Sequence, residues 1–247
     1  MRIAVVTDVH ANLAALEAVL KHAEVRRALD AVWSLGDFVG YGPQPNEIIQ
    51  LLLKQRLYGV IGNHDLAAIG GMDTRDFNRE AALANEWTGS QLDAESIEFL
   101  QGLSEIVVRE AQHSTFCHGS LRRPIWEYLF TKEAAKAQFE RMTTLYSFVG
   151  HTHIPLIYEE VRETGQIIEY RPVDGDLINL GDRRLILNPG GVGQPRDGDP
   201  RAAYAIYDTD DATVEFQRIP YQIAKTQALM QSLGLPKRLI DRLSAGR

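Results

Sequence analysis

Five of the seven histidines, His10, His64, His118, His151 and His153, stand in short loops that carry Gly or Asp and follow strand-like runs, whereas His22 and His113 do not. Asp8-Val9-His10 and His151-Thr152-His153 each set two ligand-type side chains two residues apart. An extended backbone projects both members of such a pair to the same side, which suits chelation. Asp37 in Gly36-Asp37, Asn63 in Gly62-Asn63-His64-Asp65 and His118 in Cys117-His118-Gly119 contribute from three further loops. Any one Asp or Asn here reads equally well as a turn former or helix cap, and one His-x-His is weak evidence of a metal. Five such elements in one chain point to a metal centre. Mixed imidazole, carboxylate and amide donors select Mn, Fe, Co, Ni or Zn over Mg, which prefers all-oxygen octahedra.

The elements that must position these residues follow from periodicity. Ile3 to Val6 is a short apolar run of the kind that fills a buried parallel strand, and it meets polar residues at Thr7 and Asp8. Asn12 can cap a helix whose apolar face is Leu13, Leu16, Leu20 and Ala23. A strand at Val32 to Leu35, a helix around Glu47 to Gln55 and a strand at Tyr58 to Ile61 complete a doubly wound start, in which ligands bind beyond the carboxyl ends of the strands. Helices are expected around Asn78 to Trp87, Ala94 to Leu100 and Lys132 to Met142, with strands at Ile106 to Arg109 and Thr115 to Cys117. After Gly150, short runs broken by Gly, Asp and Pro predict a mostly antiparallel second sheet, and two amphipathic segments end the chain.

Composition limits the setting. Of 247 residues, 45% are hydrophobic and 24% charged, which excludes a disordered or collagen-like chain. A net charge of −7 disfavours a general nucleic-acid binder and leaves room for a local basic or metal-lined pocket. The start of the chain reaches Asp8 too early for a signal-peptide core, no apolar run approaches a membrane span, and the single Cys117 suits a reducing compartment. A cytoplasmic protein of one domain over 1–247 is expected, with helices about 220–247 packed on or extending it.

The order Asp-x-His, Gly-Asp, Gly-Asn-His-Asp, His-Gly, Gly-His-Thr-His, running from Asp8 to His153, resembles the calcineurin-like metallophosphoesterase superfamily. His118 to Pro124 with Glu127-Tyr128, and Asn188 to Arg196, are similar to a small prokaryotic phosphoesterase and phosphodiesterase branch of it. The resemblance implies a four-layer α-β-β-α sandwich with two mixed β-sheets flanked by helices and a dinuclear centre at the carboxyl ends of the strands. It implies that Asp8, His10, Asp37 and His153 hold one metal and Asp37, Asn63, His118 and His151 the other, with Asp37 bridging. Two metals about 3.5–4 Å apart can deprotonate a bridging water and neutralise the phosphoryl oxygens of a small phosphorylated substrate. His64 matches the family's histidine that protonates the leaving oxygen or stabilises the charge developing there.

Where protein phosphatases of the superfamily read Gly-Asp-x-Val-Asp-Arg-Gly, this chain reads Gly36-Asp37-Phe38-Val39-Gly40-Tyr41-Gly42, so the carboxylate behind the histidine and the phosphate-binding arginine are missing. Tyr41, Arg122, Arg123 and Arg196 are the candidates for substrate contact in their place. Two other readings compete. Cys117-His118-Gly119-Ser120-Leu121-Arg122-Arg123 fits the C-x5-R cradle of cysteine phosphatases, which needs a thiolate in a loop entering a helix. A scaffold or regulator keeping the fold without turnover would be expected to lose ligands, and this chain keeps them all. Asn188 to Gly193 reads as a turn or a loop rimming the pocket.

Overall fold

The computed structural model describes residues 1–247. The chain opens with β1 (Arg2–Val6), α1 (Leu13–Val25), β2 (Ala31–Ser34), α2 (Pro45–Leu52) and β3 (Leu57–Gly59), in which β1, β2 and β3 run parallel. The Asn12 side chain caps α1 by accepting from the Ala15 N–H, as expected. The middle of the chain forms α3 (Asn63–Ala68), α4 (Arg79–Gln91), α5 (Ala94–Gln101), β4 (Ile106–Arg109), β5 (Ser114–Cys117), α6 (Lys132–Phe139) and β6 (Tyr146–Phe148). The remainder is β7 (Leu156–Val161), β8 (Gln166–Tyr170), β9 (Leu177–Asn179), β10 (Arg184–Asn188), β11 (Ala202–Asp208), β12 (Thr213–Ile219), α7 (Ile223–Ser232) and α8 (Lys237–Ala245).

Two six-stranded mixed sheets result, ordered β3-β2-β1-β11-β12-β9 and β4-β5-β6-β10-β7-β8. The strands after Gly150 do not make a sheet of their own. β11, β12 and β9 extend the first sheet by successive antiparallel pairings that start with β11 against β1, while β10, β7 and β8 extend the second. Runs that look alike in sequence are divided between the two sheets, because β11 pairs with β1 and β10 pairs with β6.

The period-2 alternation of β1 explains the layering. Ile3 and Val5 face the second sheet and pack with Trp33, Phe116, Phe148, Leu185, Tyr207 and Phe216. Ala4 and Val6 face the other way, onto Leu16, Val19, Ile48 and Ile49 of α1 and α2. On the outer face of the second sheet, Ala135 and Phe139 of α6 cover Tyr158 and Ile186. The order helix, sheet, sheet, helix is the α-β-β-α sandwich that the sequence leads one to expect. Met230 of α7 and Leu239 and Leu243 of α8 pack with Ala81 and Ala84 of α4 and with Tyr41. No helix is long and apolar enough to cross a membrane.

Candidate metal centre

The loops leaving β1, β2, β3, β5 and β6 converge at the carboxyl ends of their strands. Asp8, His10, Asp37, Asn63, His118, His151 and His153 all end there, each at most 3% exposed. Two clusters form, Asp8 with His10 and His153, and Asp37 with His118 and His151. In the first, His10 Nε2 lies 3.3 Å from His153 Nε2, and His153 Nε2 lies 3.2 Å from Asp8 Oδ1. In the second, His118 Nε2 lies 3.0 Å from His151 Nδ1 and 3.1 Å from Asn63 Oδ1. Asp37 Oδ2 stands between them, 3.6 Å from His10 Nε2 and 3.3 Å from His118 Nε2.

The donor set fits a pair of cations. Ligand atoms about 2.0–2.2 Å from one ion fall roughly 3–3.5 Å from each other, which is the spacing seen. Backbone carbonyls fix the ring tautomers: His10 Nδ1 faces Val39 O at 3.0 Å, His118 Nδ1 faces Leu35 O at 2.9 Å and His153 Nδ1 faces Gln194 O at 2.6 Å. Each Nδ1–H donates outward, so each Nε2 lone pair turns inward. Asp8 Oδ1 is buried with no hydrogen-bond donor, while Oδ2 accepts from the Thr7 hydroxyl at 2.9 Å and the His151 N–H at 3.2 Å.

Burial is the strongest influence on these groups and drives His10, His151 and His153 well below the usual imidazole range. It pushes Asp8 up to about 6 despite the pull of His118. For Asp37 and His118 burial is outweighed by their mutual attraction. His118, with help from His64, holds Asp37 below the usual carboxylate range, and Asp37 raises His118 to about 9.

The backbone geometry corrects one expectation. The Asp-x-His and His-x-His pairs are not extended, because Asp8, His10, Asp37, His151 and His153 have φ between 47° and 65°, in the left-handed region. Each such residue costs on the order of 1–3 kcal/mol, a strain usually found at functional sites. The His-x-His pair therefore splits, with His153 in one cluster and His151 in the other.

His64 is the second residue of α3, and its N–H donates to Asp37 Oδ1 at 2.9 Å. Asp65 caps this helix by accepting from the Gly62 and Val39 N–H groups, both at 3.0 Å. The group behind the His64 ring is Asn85 of α4, which the sequence did not reveal. Turned so that its oxygen accepts from the Ala68 N–H at 2.9 Å, the Asn85 amide donates to His64 Nδ1 and to the His64 carbonyl, both at 3.2 Å. Nδ1 is then an acceptor and Nε2 carries the hydrogen. Burial lowers the His64 pKa to about 4 although Asp37 opposes it, so the ring is neutral near pH 7. Gly40 has its own reason: a Cβ there would lie 2.6 Å from His64 Nδ1. Glycine thus stands where the protein phosphatases have an aspartate because the imidazole occupies the space.

Tyr41 packs on both His10 and His64, with ring centroids 4.6 and 4.3 Å away, and its hydroxyl lies 3.4 Å from Arg196 Nη2. The other two arginine candidates fare differently. Arg122 is tied to Glu127 by a two-pronged ion pair, and Arg123 lines a separate surface cavity beside Trp126. Tyr128, unforeseen as a contact, stacks on His151 with centroids 3.8 Å apart. Asn188 to Arg196 forms a wall of the site. The Gly193 N–H donates to Asp8 O at 2.9 Å, and a Cβ at Gly193 would come within 1.9 Å of the Val9 carbonyl.

Cys117 does not behave as a phosphatase nucleophile. It is fully buried at the end of β5, burial pushes its thiol up to about 12, and the chain beyond it enters a loop rather than a helix.

The model of the calcineurin-like phosphoesterase superfamily domain matches residues 1–212. The chain belongs to that superfamily and is a hydrolase acting on phosphoester bonds. The crystal structure of a metallophosphoesterase from Sphaerobacter thermophilus is 46% identical, with a TM-score of 0.90 over 100% of this chain and 99% of that one. An uncharacterised protein of Methanocaldococcus jannaschii is 36% identical over 99% of this chain and 98% of its own length. The symmetrical bis(5'-nucleosyl)-tetraphosphatase of Buchnera aphidicola is 26% identical over 140 residues, 56% of this chain and 51% of that enzyme.

Proposed function

We propose that this chain hydrolyses phosphoesters with two divalent transition-metal ions, drawn from Mn, Fe, Co, Ni and Zn. Asp8, His10, Asp37 and His153 hold one and Asp37, Asn63, His118 and His151 the other. The observation that carries this is Asp37 Oδ2, set between imidazole nitrogens of the two clusters at 3.6 and 3.3 Å. Such ions, when bound, acidify a water for in-line attack and neutralise phosphoryl oxygens.

The protein's own groups do the rest. Asn85 and Gly40 hold the His64 ring with its Nε2–H available to the leaving oxygen, to which the neutral ring donates a hydrogen bond, and the proton itself only in its protonated, imidazolium form. Without the aspartate and arginine of the protein phosphatases, a dianionic monoester finds fewer fixed cations here, so diesters are turned over at least as well as monoesters. The substrate is a small phosphorylated molecule, and the name of the Buchnera relative favours a dinucleoside polyphosphate. The whole chain acts as one domain, since α7 and α8 bury Met230, Leu239 and Leu243 against α4 and Tyr41. The free, buried Cys117 agrees with a cytoplasmic location.

The test is elemental analysis of the purified protein with a panel of aryl mono- and diesters. Near two ions per chain are expected, with Asp37→Ala lowering both and His10→Ala sparing the second. Well-folded protein that neither carries nor takes up metal overturns the reading. Full loading without turnover of any phosphoester would leave a metal-bound scaffold.

A further inference from the structure

Beside the metal centre lies a cavity of about 450 Å³ lined by Tyr41, Tyr128 and four arginines, Arg196, Arg238, Arg242 and Arg247. Tyr41 and Tyr128 form its inner wall, and both pack directly on metal-site histidines. Arg238 and Arg242 are on α8, and with Arg247 they lie beyond residue 212, outside the range that the superfamily model matches.

Arginines normally find carboxylates, and in this chain Arg122, Arg183, Arg184, Arg201 and Arg218 all do. None of the four in the cavity has a side-chain carboxylate within ion-pairing distance. Glu80, the one acidic side chain in the lining, stands beyond ion-pairing distance of all of them. Arg196 bonds only to neutral oxygens, Gln194 Oε1 at 3.1 Å and the Tyr41 hydroxyl, and its Nε is buried without any partner. Arg242 Nε donates to the main-chain oxygen of Arg247 at 2.5 Å. Its own charge is disfavoured by burial and by the nearness of Arg196. Arg238 sits in the first turn of α8, where the helix dipole disfavours a cation. A chain with net charge −7 thus gathers four arginines without side-chain carboxylate partners in one partly closed space next to the proposed phosphoester site.

Resting on the hydrolase reading above, we infer that this cavity is a second phosphate subsite, so that the substrate carries a chain of two or more phosphates rather than a single ester phosphate. A phosphate chain supplies several closely spaced anionic oxygens that guanidinium forks bind in pairs. Arg196 bridges the two parts of the site, because its guanidinium lies 5.8 Å from the Tyr41 ring that covers His10 and His64.

The probe is inorganic tripolyphosphate, titrated into metal-loaded wild type and into an Arg238→Ala, Arg242→Ala variant. α8 packs through Leu239 and Leu243 rather than through these arginines, and Arg238→Gln, a single change at an exposed position, serves if the double variant is unstable. Lys237→Ala removes a charge from the same helix outside the cavity and controls for long-range effects. The double variant is expected to bind tripolyphosphate roughly tenfold more weakly, and Arg238→Gln severalfold. Its KM for a dinucleoside tetraphosphate should rise about tenfold more than that for bis(p-nitrophenyl) phosphate, with kcat changing less. Unchanged tripolyphosphate affinity, or equal losses on both substrates, overturns the subsite. Failure of wild type to cleave any ester would instead sink the hydrolase reading, and the tripolyphosphate titration would still decide whether the cavity binds phosphate chains.

Discussion

Metal loading should displace a proton from His118. In the metal-free chain this imidazole faces Asp37 at 3.3 Å, and that carboxylate raises it to about 9 against the opposing effect of burial. A metal ligand must offer a free lone pair, and His118 Nδ1 is already committed to the Leu35 carbonyl, so the proton that leaves is the one on Nε2. At pH 8 a group with a pKa near 9 is about 90% protonated and at pH 9 about half, so metal binding releases about 0.9 and then about 0.5 proton from this residue. The other imidazoles of the centre are neutral at these pH values and release nothing. Asp8, near 6, and Asp65, pushed up to about 7 by burial and by Asp37, are mostly ionised by pH 8. Ionisation of solvent on a bound metal grows with pH, so the direction of change separates the two sources. The assay is calorimetric titration of chelator-treated protein with Mn or Co, in buffers of different ionisation enthalpy at pH 8 and 9. Affinity should also rise nearly tenfold per unit between pH 7 and 8.5 as the competing proton is lost. Proton release that rises from pH 8 to 9, or affinity independent of pH over this range, would refute the pairing of His118 with Asp37.

Acid should destabilise the metal-free protein. His10, His64, His151 and His153 have pKa values lowered by burial, so below about 6.5 the unfolded chain binds protons that the folded chain refuses, and the urea midpoint should fall between pH 7 and pH 5.5; a constant midpoint would contradict their burial as neutral rings. His64→Asn should leave metal content intact but reduce cleavage of an alkyl or nucleotide ester on the order of 10²–10⁴-fold, with a much smaller loss on a nitrophenyl ester whose leaving group departs unaided. Equal losses would make His64 a stabiliser of the phosphoryl group. Asn85→Ala should reproduce that leaving-group dependence in weaker form and appear in kcat rather than KM, since it frees the ring without removing it. Cys117→Ser should keep most turnover while a chelator abolishes it; the reverse would revive a thiolate mechanism.

The parts of this molecule legible in its sequence are those encoded by side-chain type and period. The apolar run Ile3 to Val6 and the Leu13, Leu16, Leu20 stripe of α1 identify buried elements because burial acts through the side chains themselves. The His, Asp and Asn side chains that cluster at the strand ends are legible for the same reason, since few other side chains offer lone pairs suited to a cation. What the sequence conceals is carried by the backbone. The carbonyls of Val39, Leu35 and Gln194 orient three imidazoles, and any residue supplies a carbonyl. The left-handed turns at Asp8, His10, His151 and His153 lack the glycine that would advertise them. α3 is six residues long, too short for a periodic stripe, and its start is fixed by Asp65 reaching back to Gly62.

Asn85 illustrates the remaining limit, that of long-range partnership. It lies 21 residues beyond His64 on another helix, and its identity as an amide rather than a carboxylate determines how the histidine works. An aspartate would favour an imidazolium, whereas an amide in a buried pocket leaves the ring neutral with its hydrogen on Nε2. Gly40 and Asn85 therefore belong together. The loop position that carries a carboxylate in protein phosphatases cannot do so here, because the imidazole lies where its Cβ would be, and Nδ1 of the ring is held instead by Asn85 of α4. Tyr41, next in that loop, sets its ring 5.8 Å from the guanidinium of Arg196. On the function proposed above, the departures at Gly40 and Tyr41 form one rearrangement, in which the charges that would meet a phosphoryl group come from the Asn188–Arg196 loop and the C-terminal helix rather than from the β2 loop.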